Sequence, residues 1–174
     1  MVERMLNFVR KGQNVCVAFY GHPGVFVYPS HKAIKQARAE GYNARMLPTI
    51  SSLDCLFADL GIDPETTGCQ MFEATDFLAS KRTIDISCAV IIWQIGVIGD
   101  LTHNININNS NGIKVLIEVL SEYYDPRHEA IVYEAPLCPI HEPIIQRAPI
   151  SKISECKITS ISTFYIPPSL IKGR

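Results

Sequence analysis

Apolar side chains along the first fifty residues follow two different periods. Residues 1–11 carry them at helical spacing, on one face, which predicts an amphipathic helix. Residues 15–19 are apolar at consecutive positions, as strands of covered parallel sheets are. Residues 44–47 predict a second, shorter strand of the same kind.

Two further helices are expected, one after each of these strands. The first covers residues 30–40 and stops at Gly41, which can adopt the left-handed conformation that ends helices. The second is capped by Ser51 or Ser52 and runs to Gly61. The repeated order of strand, loop and helix predicts a parallel α/β arrangement with right-handed crossovers.

The pattern changes from Gly68 onward. The Asp63-Pro64 pair just before it interrupts regular secondary structure, which predicts a lobe boundary near residues 63–67. A polar loop is expected at residues 104–112 and a helix near residues 113–124. Longer, more alternating strands are predicted at residues 70–72, 87–94, 130–134 and 160–166. Such strands favour a mixed or antiparallel second lobe.

The fold class predicted is α/β, with a partial parallel α/β lobe at residues 1–64 followed by a mixed or antiparallel α+β lobe at residues 65–174. The first lobe offers only the two short strands, whereas a stable sheet usually needs more. Either a segment preceding Met1 or another subunit would have to cover the exposed edges. We therefore expect a homodimer or a larger species.

Composition excludes several function classes. The chain has 174 residues and a net charge of −1, with its basic residues scattered, so nucleic acid is not an expected partner. No apolar run approaches the roughly 20 residues that cross a bilayer, and the start lacks the pattern of a secretory signal. These features predict a cytoplasmic protein without a membrane partner.

The cysteines and histidines predict neither disulfides nor a metal site. The six cysteines are far apart in mostly apolar surroundings, as reduced core cysteines are. Cys138 and His141 have the spacing of two metal ligands, but no second pair lies near them and a closed zinc site needs four.

Candidate chemistry lies at the two predicted strand ends of the first lobe. The apolar run ends in the Gly-x-Pro-Gly turn at residues 21–24, and the second strand ends at Pro48 before another turn. Open α/β sheets bind small ligands at the carboxyl ends of their strands. The sequence therefore predicts one small-molecule pocket built from two successive strand ends.

The chain carries several motifs in this order: Tyr20-Gly21-His22-Pro23-Gly24-Val25-Phe26-Val27, Pro29-Ser30-His31, Met46-Leu47-Pro48, Phe57-Ala58-Asp59-Leu60, Trp93-Gln94-Ile95-Gly96 and Ser162-Thr163-Phe164-Tyr165-Ile166-Pro167-Pro168. Together they resemble the tetrapyrrole methylase superfamily, the class III S-adenosylmethionine-dependent methyltransferases. More narrowly, they are similar to its borosin branch, the peptide backbone N-methyltransferases. The likeness covers essentially the whole chain.

The resemblance implies a cleft between the two lobes that holds S-adenosylmethionine. The residues that it assigns to the cofactor are Tyr20, His22, Val25, Ser51, Ser52, Gln94, Ala135, Ser162 and Thr163. Tyr20 is also the candidate catalytic residue, which would orient the substrate amide. The aromatic faces of Tyr20 and His22 would attract the sulfonium by roughly 0.5 to 2 kcal/mol.

Four of these assignments have a purely structural alternative. Tyr20 could pack on the core as a strand-end aromatic residue. Gln94 could satisfy only backbone groups, and Ser162 and Thr163 could simply end a strand.

The chain departs from the family pattern at three places. Thr49 stands where the superfamily usually has Gly, which puts cofactor affinity in question, and His22 replaces the more usual Asp. Relatives also carry an earlier segment with a Gly-rich loop and, in the borosin branch, an Arg and Tyr pair. For this chain alone we expect weak cofactor binding and little or no turnover.

Three functions are compatible with these features. The first is methyl transfer to backbone amides of a ribosomal peptide. The second is a cofactor-binding or assembly fragment without catalysis. The third is C-methylation of a tetrapyrrole.

Overall fold

The chain divides into two compact units, residues 1–55 and residues 56–174. The computed structural model describes residues 1–100, 110–138 and 140–169. The lobe boundary expected near residues 63–67 stays a prediction.

The first unit holds two helices, α1 (Val2–Arg10) and α2 (Tyr28–Ala39). Helix α1 is confirmed with the predicted face inward, since Leu6 is buried and the other apolar residues of that face are partly buried. Helix α2 begins two residues earlier than predicted, because Pro29 suits the first turn of a helix. Gly41 ends it with a φ of +86°.

An ion pair joins the two helices of this unit. Arg10 Nε donates to Glu40 Oε2 over 2.7 Å. The Arg10 guanidinium lowers the pKa of Glu40 to about 2. The pair is exposed to solvent, so it fixes geometry more than it adds stability.

The predicted strands at residues 15–19 and 44–47 are wrong. Residues 1–55 are all described and contain no strand. Val15 and Val17 are 38% and 42% exposed, and Cys16 is exposed rather than buried. Consecutive apolar residues favour extended backbone, but a ladder also requires a partner strand, and this unit supplies none.

Helix α3 (Ser52–Leu60) is confirmed, and Gly61 follows it with a φ of +64°. Leu56 on this helix is fully buried.

The second unit contains a five-stranded sheet in the order β1-β2-β5-β3-β4. Its strands are β1 (Cys69–Glu73), β2 (Ala89–Trp93), β3 (Glu129–Glu134), β4 (Ile144–Pro149) and β5 (Thr163–Ile166). Strands β1 and β2 are parallel, and the other pairs are antiparallel. The α/β class and the mixed second sheet are therefore confirmed, although parallel pairing occurs here and not in the first unit.

Two helices accompany this sheet, α4 (Ala74–Ala79) and α5 (Ser110–Leu120). Short 3-10 helices lie at Ile95–Val97 and Ile150–Glu155. The predicted polar loop at residues 104–112 falls mostly outside the described residues.

The core of this unit lies on both faces of the central strands. All five residues of β2 are buried, and the strand lies within the one predicted at residues 87–94. One cluster joins β2, β3 and β5 to α4, α5 and the second 3-10 helix. Across the described ranges, no helix is long and apolar enough to span a membrane.

Candidate functional site

Four of the predicted cofactor residues lie at one edge of the five-stranded sheet. Strand β5 runs antiparallel to both β2 and β3, so its start lies beside their ends. Gln94 follows β2, and Ala135 follows β3. Ser162 directly precedes β5, which begins at Thr163. The sheet topology therefore brings together residues that are far apart in sequence.

Gln94 has an unusual backbone at this edge. Its φ of 60° and ψ of 37° place it in the left-handed region, which few residues other than glycine adopt. Such conformations cost about 1 to 3 kcal/mol and cluster at functional sites. The Gln94 side chain is exposed, so its amide is available to a ligand.

Ser162 and Thr163 are both buried, and the Ser162 hydroxyl is already engaged. It donates to Glu134 Oε1 and accepts from the Thr159 backbone N–H over 2.8 Å. The hydroxyl of Ser162 thus holds the edge together. The Ser162 backbone and Thr163 lie beside the exposed Gln94.

The first unit contains the glycine turn at residues 20–26. Gly21 has a φ of +75°. His22 Nδ1 accepts from the Gly24 N–H over 2.9 Å, which leaves the opposite ring nitrogen, Nε2, as the protonated one in the neutral form. The His31 side chain contacts the Gly24 carbonyl over 2.9 Å. The turn is therefore fixed by its own hydrogen bonds.

Gly24 also brings the two predicted loop regions of this unit together. A Cβ atom added there would lie 2.6 Å from Met46 Sδ and 3.2 Å from His22 Cε1. A Cβ on Gly21 would lie 3.9 Å from the Ile50 carbonyl oxygen. The expected proximity of the two loops is seen in the structure, although both are unpaired segments and not strand ends.

Tyr20 does not pack on a core, because it is 78% exposed. The structural alternative for this residue is therefore wrong. Val25 and His22 are partly buried in the same turn, so an open aromatic face stands beside a fixed backbone loop.

Ser51 caps helix α3 and is 7% exposed. Its hydroxyl accepts from the Leu53 N–H over 3.2 Å and donates to Asp54 Oδ2 over 2.9 Å. The Ser51 backbone N–H donates to the same carboxylate over 2.7 Å and lowers the pKa of Asp54. Ser52 is exposed at the first helical position. Sequence reasoning saw the cap but missed Asp54, which completes a reciprocal box.

We expect Ser51→Ala to lower the free energy of unfolding by about 1 kcal/mol, because it removes an N-cap hydroxyl. Thermal unfolding checks this, with Ser52→Ala as the matched control, since alanine is well tolerated inside a helix. Equal losses in the two variants would contradict the cap.

The pH dependence of the same box has a definite sign. The pKa of Asp54 is lowered in the folded chain, so its contribution is present above the ordinary carboxyl pKa. It is lost as the pH falls through the lowered value. In Asp54→Asn, this part of the stability loss at acidic pH should disappear.

Thr49 fits its backbone conformation better than its residue type suggests. Among the described residues other than glycine, Phe26, Lys81 and Gln94 have a positive φ, and Thr49 does not. Threonine therefore fits its backbone without strain there. It is exposed, so only its bulk could limit a ligand.

Glu134 is the residue that sequence reasoning missed at the sheet edge. It is 6% exposed and accepts hydrogen bonds from two hydroxyls. Its signal was a carboxyl group at the end of a fully apolar run. No group of three or more potential metal ligands occurs in the described part of the chain.

The chain matches a known protein family over most of its length. Residues 1–146 match the profile of the Tetrapyrrole (Corrin/Porphyrin) Methylases.

Curated relatives are similar over nearly the whole chain. A methyltransferase/ribosomally synthesized cyclic peptide gymnopeptides precursor from Gymnopus fusipes is 47% identical over 178 residues, which is 99% of this chain and 42% of that protein. A methyltransferase/ribosomally synthesized type I borosin cyclic peptide precursor from Coprinopsis marcescibilis is 46% identical, over 97% of this chain and 44% of that protein. The chain thus spans less than half the length of these relatives.

A solved structure shares the fold at low identity. The uroporphyrin-III C-methyl transferase from Thermus thermophilus complexed with S-adenyl homocysteine aligns with a TM-score of 0.63 and 13% identity, covering 95% of this chain and 68% of that one. At this identity the likeness concerns the fold alone.

Proposed function

The chain belongs to the tetrapyrrole (corrin/porphyrin) methylase family, and from that premise we propose that it is the methyltransferase part of a borosin-type enzyme. It would use S-adenosylmethionine to methylate backbone amide nitrogens of a ribosomal peptide. The observation that carries the proposal is the fixed glycine turn at residues 20–26 with the exposed Tyr20 beside it.

The residues present fit the cofactor. A Cβ on Gly24 would meet the side chains of Met46 and His22, so glycine lets the turn pack closely against them. Tyr20 offers an exposed ring to a sulfonium, and Gln94 offers an exposed amide held by a strained backbone. We assign Tyr20, His22, Val25, Ser51 and Ser52 to one group of cofactor residues. The second group is Gln94, Ala135, Ser162 and Thr163.

The hydroxyls of Ser51 and Ser162 would act indirectly. Each is already committed, Ser51 to Asp54 and Ser162 to Glu134. Their backbone groups and the neighbouring exposed side chains are then the contacts left for the cofactor.

S-adenosylmethionine supplies an electrophilic methyl group on a sulfonium. The protein's part is to align a nucleophile with that methyl group at about 3 to 3.5 Å. Tyr20 would orient the substrate amide through its hydroxyl. An amide nitrogen must also lose its proton, and we assign no base among these residues.

The names of the relatives support a peptide as the acceptor. Both are methyltransferases that are also precursors of ribosomally synthesized cyclic peptides. The fold alone equally suits a tetrapyrrole C-methylase. The unpaired, exposed segments of the first unit favour the remaining candidate, a cofactor-binding fragment without catalysis.

The test begins with titration calorimetry of the chain with S-adenosylhomocysteine, which we expect to bind weakly. Tyr20→Ala should raise the Kd about two- to thirtyfold, the range of a cation–π contact, when S-adenosylmethionine is the ligand. Tyr20→Phe keeps the ring and should bind like the parent. An unchanged Kd in Tyr20→Ala would remove Tyr20 from the cofactor group.

Transfer is then measured with labelled S-adenosylmethionine and two acceptors. One is a linear synthetic peptide with the cyclic-peptide sequence of the Gymnopus fusipes precursor, and the other is a porphyrin precursor. Label in the peptide supports the proposal, and label in the porphyrin precursor alone overturns it. Binding without label in either acceptor identifies a cofactor-binding fragment.

We further propose a cytoplasmic homodimer. The support is apolar surface that the described residues leave uncovered, such as Val15, Val17 and Leu47. A clean monomer by light scattering at micromolar concentration would contradict the dimer.

A further inference from the structure

The carboxyl group of Glu134 is buried at the sheet edge, and no described residue gives it a positive partner. It ends strand β3 with 6% of its surface exposed. None of the ion pairs formed among the described residues includes Glu134. Burying an unpaired carboxyl group is costly, so the group needs compensating hydrogen bonds.

Two hydroxyls from one turn supply those hydrogen bonds. Thr159 Oγ1 donates to Glu134 Oε1 over 2.7 Å, and Ser162 Oγ donates to the same oxygen. The turn is closed by the Ser162 N–H, which donates to the Thr159 carbonyl over 3.1 Å. A single carboxyl oxygen therefore holds both ends of the turn that leads into β5.

The same turn rests directly on the segment that follows Gln94. A Cβ on Gly96 would lie 2.5 Å from the carbonyl carbon of Thr159 and closer still to its oxygen. The Ile95 N–H donates to the Ser162 carbonyl over 3.3 Å. Any shift of the turn must therefore move the backbone beside Gln94.

We propose that Glu134 is a positioning residue for the cofactor site. Through Thr159 and Ser162 it fixes the ends of β2, β3 and β5, and so sets where Gln94, Ala135 and Thr163 lie. The inference rests on the proposed function, since it assigns these residues to S-adenosylmethionine. Glu134 acts as a hydrogen-bond acceptor and need not touch the cofactor.

The test compares Glu134→Ala with Glu134→Gln in the full chain. Glutamine keeps an amide oxygen that can accept both hydroxyls, whereas alanine removes the acceptor. We expect alanine to raise the Kd for S-adenosylhomocysteine at least tenfold and glutamine to restore it to within about threefold of the parent, which is a difference of about 0.7 kcal/mol.

Two controls separate positioning from loss of stability. Glu129→Ala removes an exposed carboxylate at the other end of the same strand and should leave the Kd unchanged. Ile150→Val lowers stability through a fully buried residue whose N–H bonds to His128, near that other end. It should lower the melting temperature without raising the Kd.

A second measurement does not depend on the cofactor. The amide NMR signals of Thr159, Ser162 and Ile95 should shift in Glu134→Ala and stay near their parent positions in Glu134→Gln. Unchanged signals in Glu134→Ala would show that Glu134 does not hold the turn through Thr159 and Ser162. Shifted signals with an unchanged Kd overturn the positioning role, and a parent chain that binds no S-adenosylhomocysteine overturns the proposed function together with this assignment.

Discussion

Gly96→Ala is expected to destabilise the second unit by about 3 kcal/mol or more, the upper range of overpacking. The added methyl would lie 2.5 Å from the Thr159 carbonyl carbon, and that backbone cannot swing aside as a flexible side chain would. The melting temperature should fall by roughly 10 °C, at about 2 to 4 °C per kcal/mol for a chain of this size. Binding of S-adenosylhomocysteine should be lost with it.

Gly99→Ala is the matched control for this substitution. Nothing lies within 4 Å of a Cβ at Gly99, and its φ of +76° makes alanine strained rather than overpacked. The cost of a left-handed alanine is about 1 to 2 kcal/mol. If the two variants have the same melting temperature, the close approach of the Thr159 turn to Gly96 does not determine the stability of the second unit.

Helices α1, α2 and α3 were predicted well because their signals are local. In α1 the apolar period of one face is enough, and in α2 and α3 a stop at Gly41 or Gly61 marks the end. Each helix satisfies its own backbone hydrogen bonds, so the prediction needs no knowledge of distant partners.

Strands depend on partners, and there sequence reasoning partly failed. The apolar run at residues 15–19 looked like the run of β2. However, residues 15–19 have no partner strand among the described residues, whereas β2 lies between β1 and β5. Strand β4 was missed for the opposite reason, because it is an edge strand whose residues are partly exposed and do not alternate. The short helix α4 was missed because its cap is the Glu73 side chain at the end of β1.

The candidate site divides in the same way. The glycine turn and the Ser51 cap were visible as local chemistry, and the structure shows hydrogen bonds at both. The link between Glu134 and Ser162 was not visible, since these residues are 28 apart in sequence and meet only through the register of β3 and β5. Likewise, the strained backbone of Gln94 has no signature in its residue type.

The two units should differ by orders of magnitude in amide hydrogen exchange. Of the apolar residues within 1–55, all of which are described, Leu6, Ala33 and Ala37 are buried. No backbone N–H of residues 14–19 donates to another described residue, whereas β2 is paired on both sides. We expect residues 14–19 to exchange on the order of a thousandfold faster than β2, since opening free energies range from near zero to the global value.

Mass spectrometry of exchanged peptides measures this contrast. The measurement is repeated with added ligand and at a higher protein concentration. Saturating S-adenosylhomocysteine should slow the exchange of residues 20–26, because a ligand that binds only the folded turn stabilises it. Raising the protein concentration should slow residues 14–19 if a second copy supplies the missing ladder partner. Slow exchange of residues 14–19 at every concentration would mean that they are paired within one chain, and the exposed segment described for the first unit would then be incorrect.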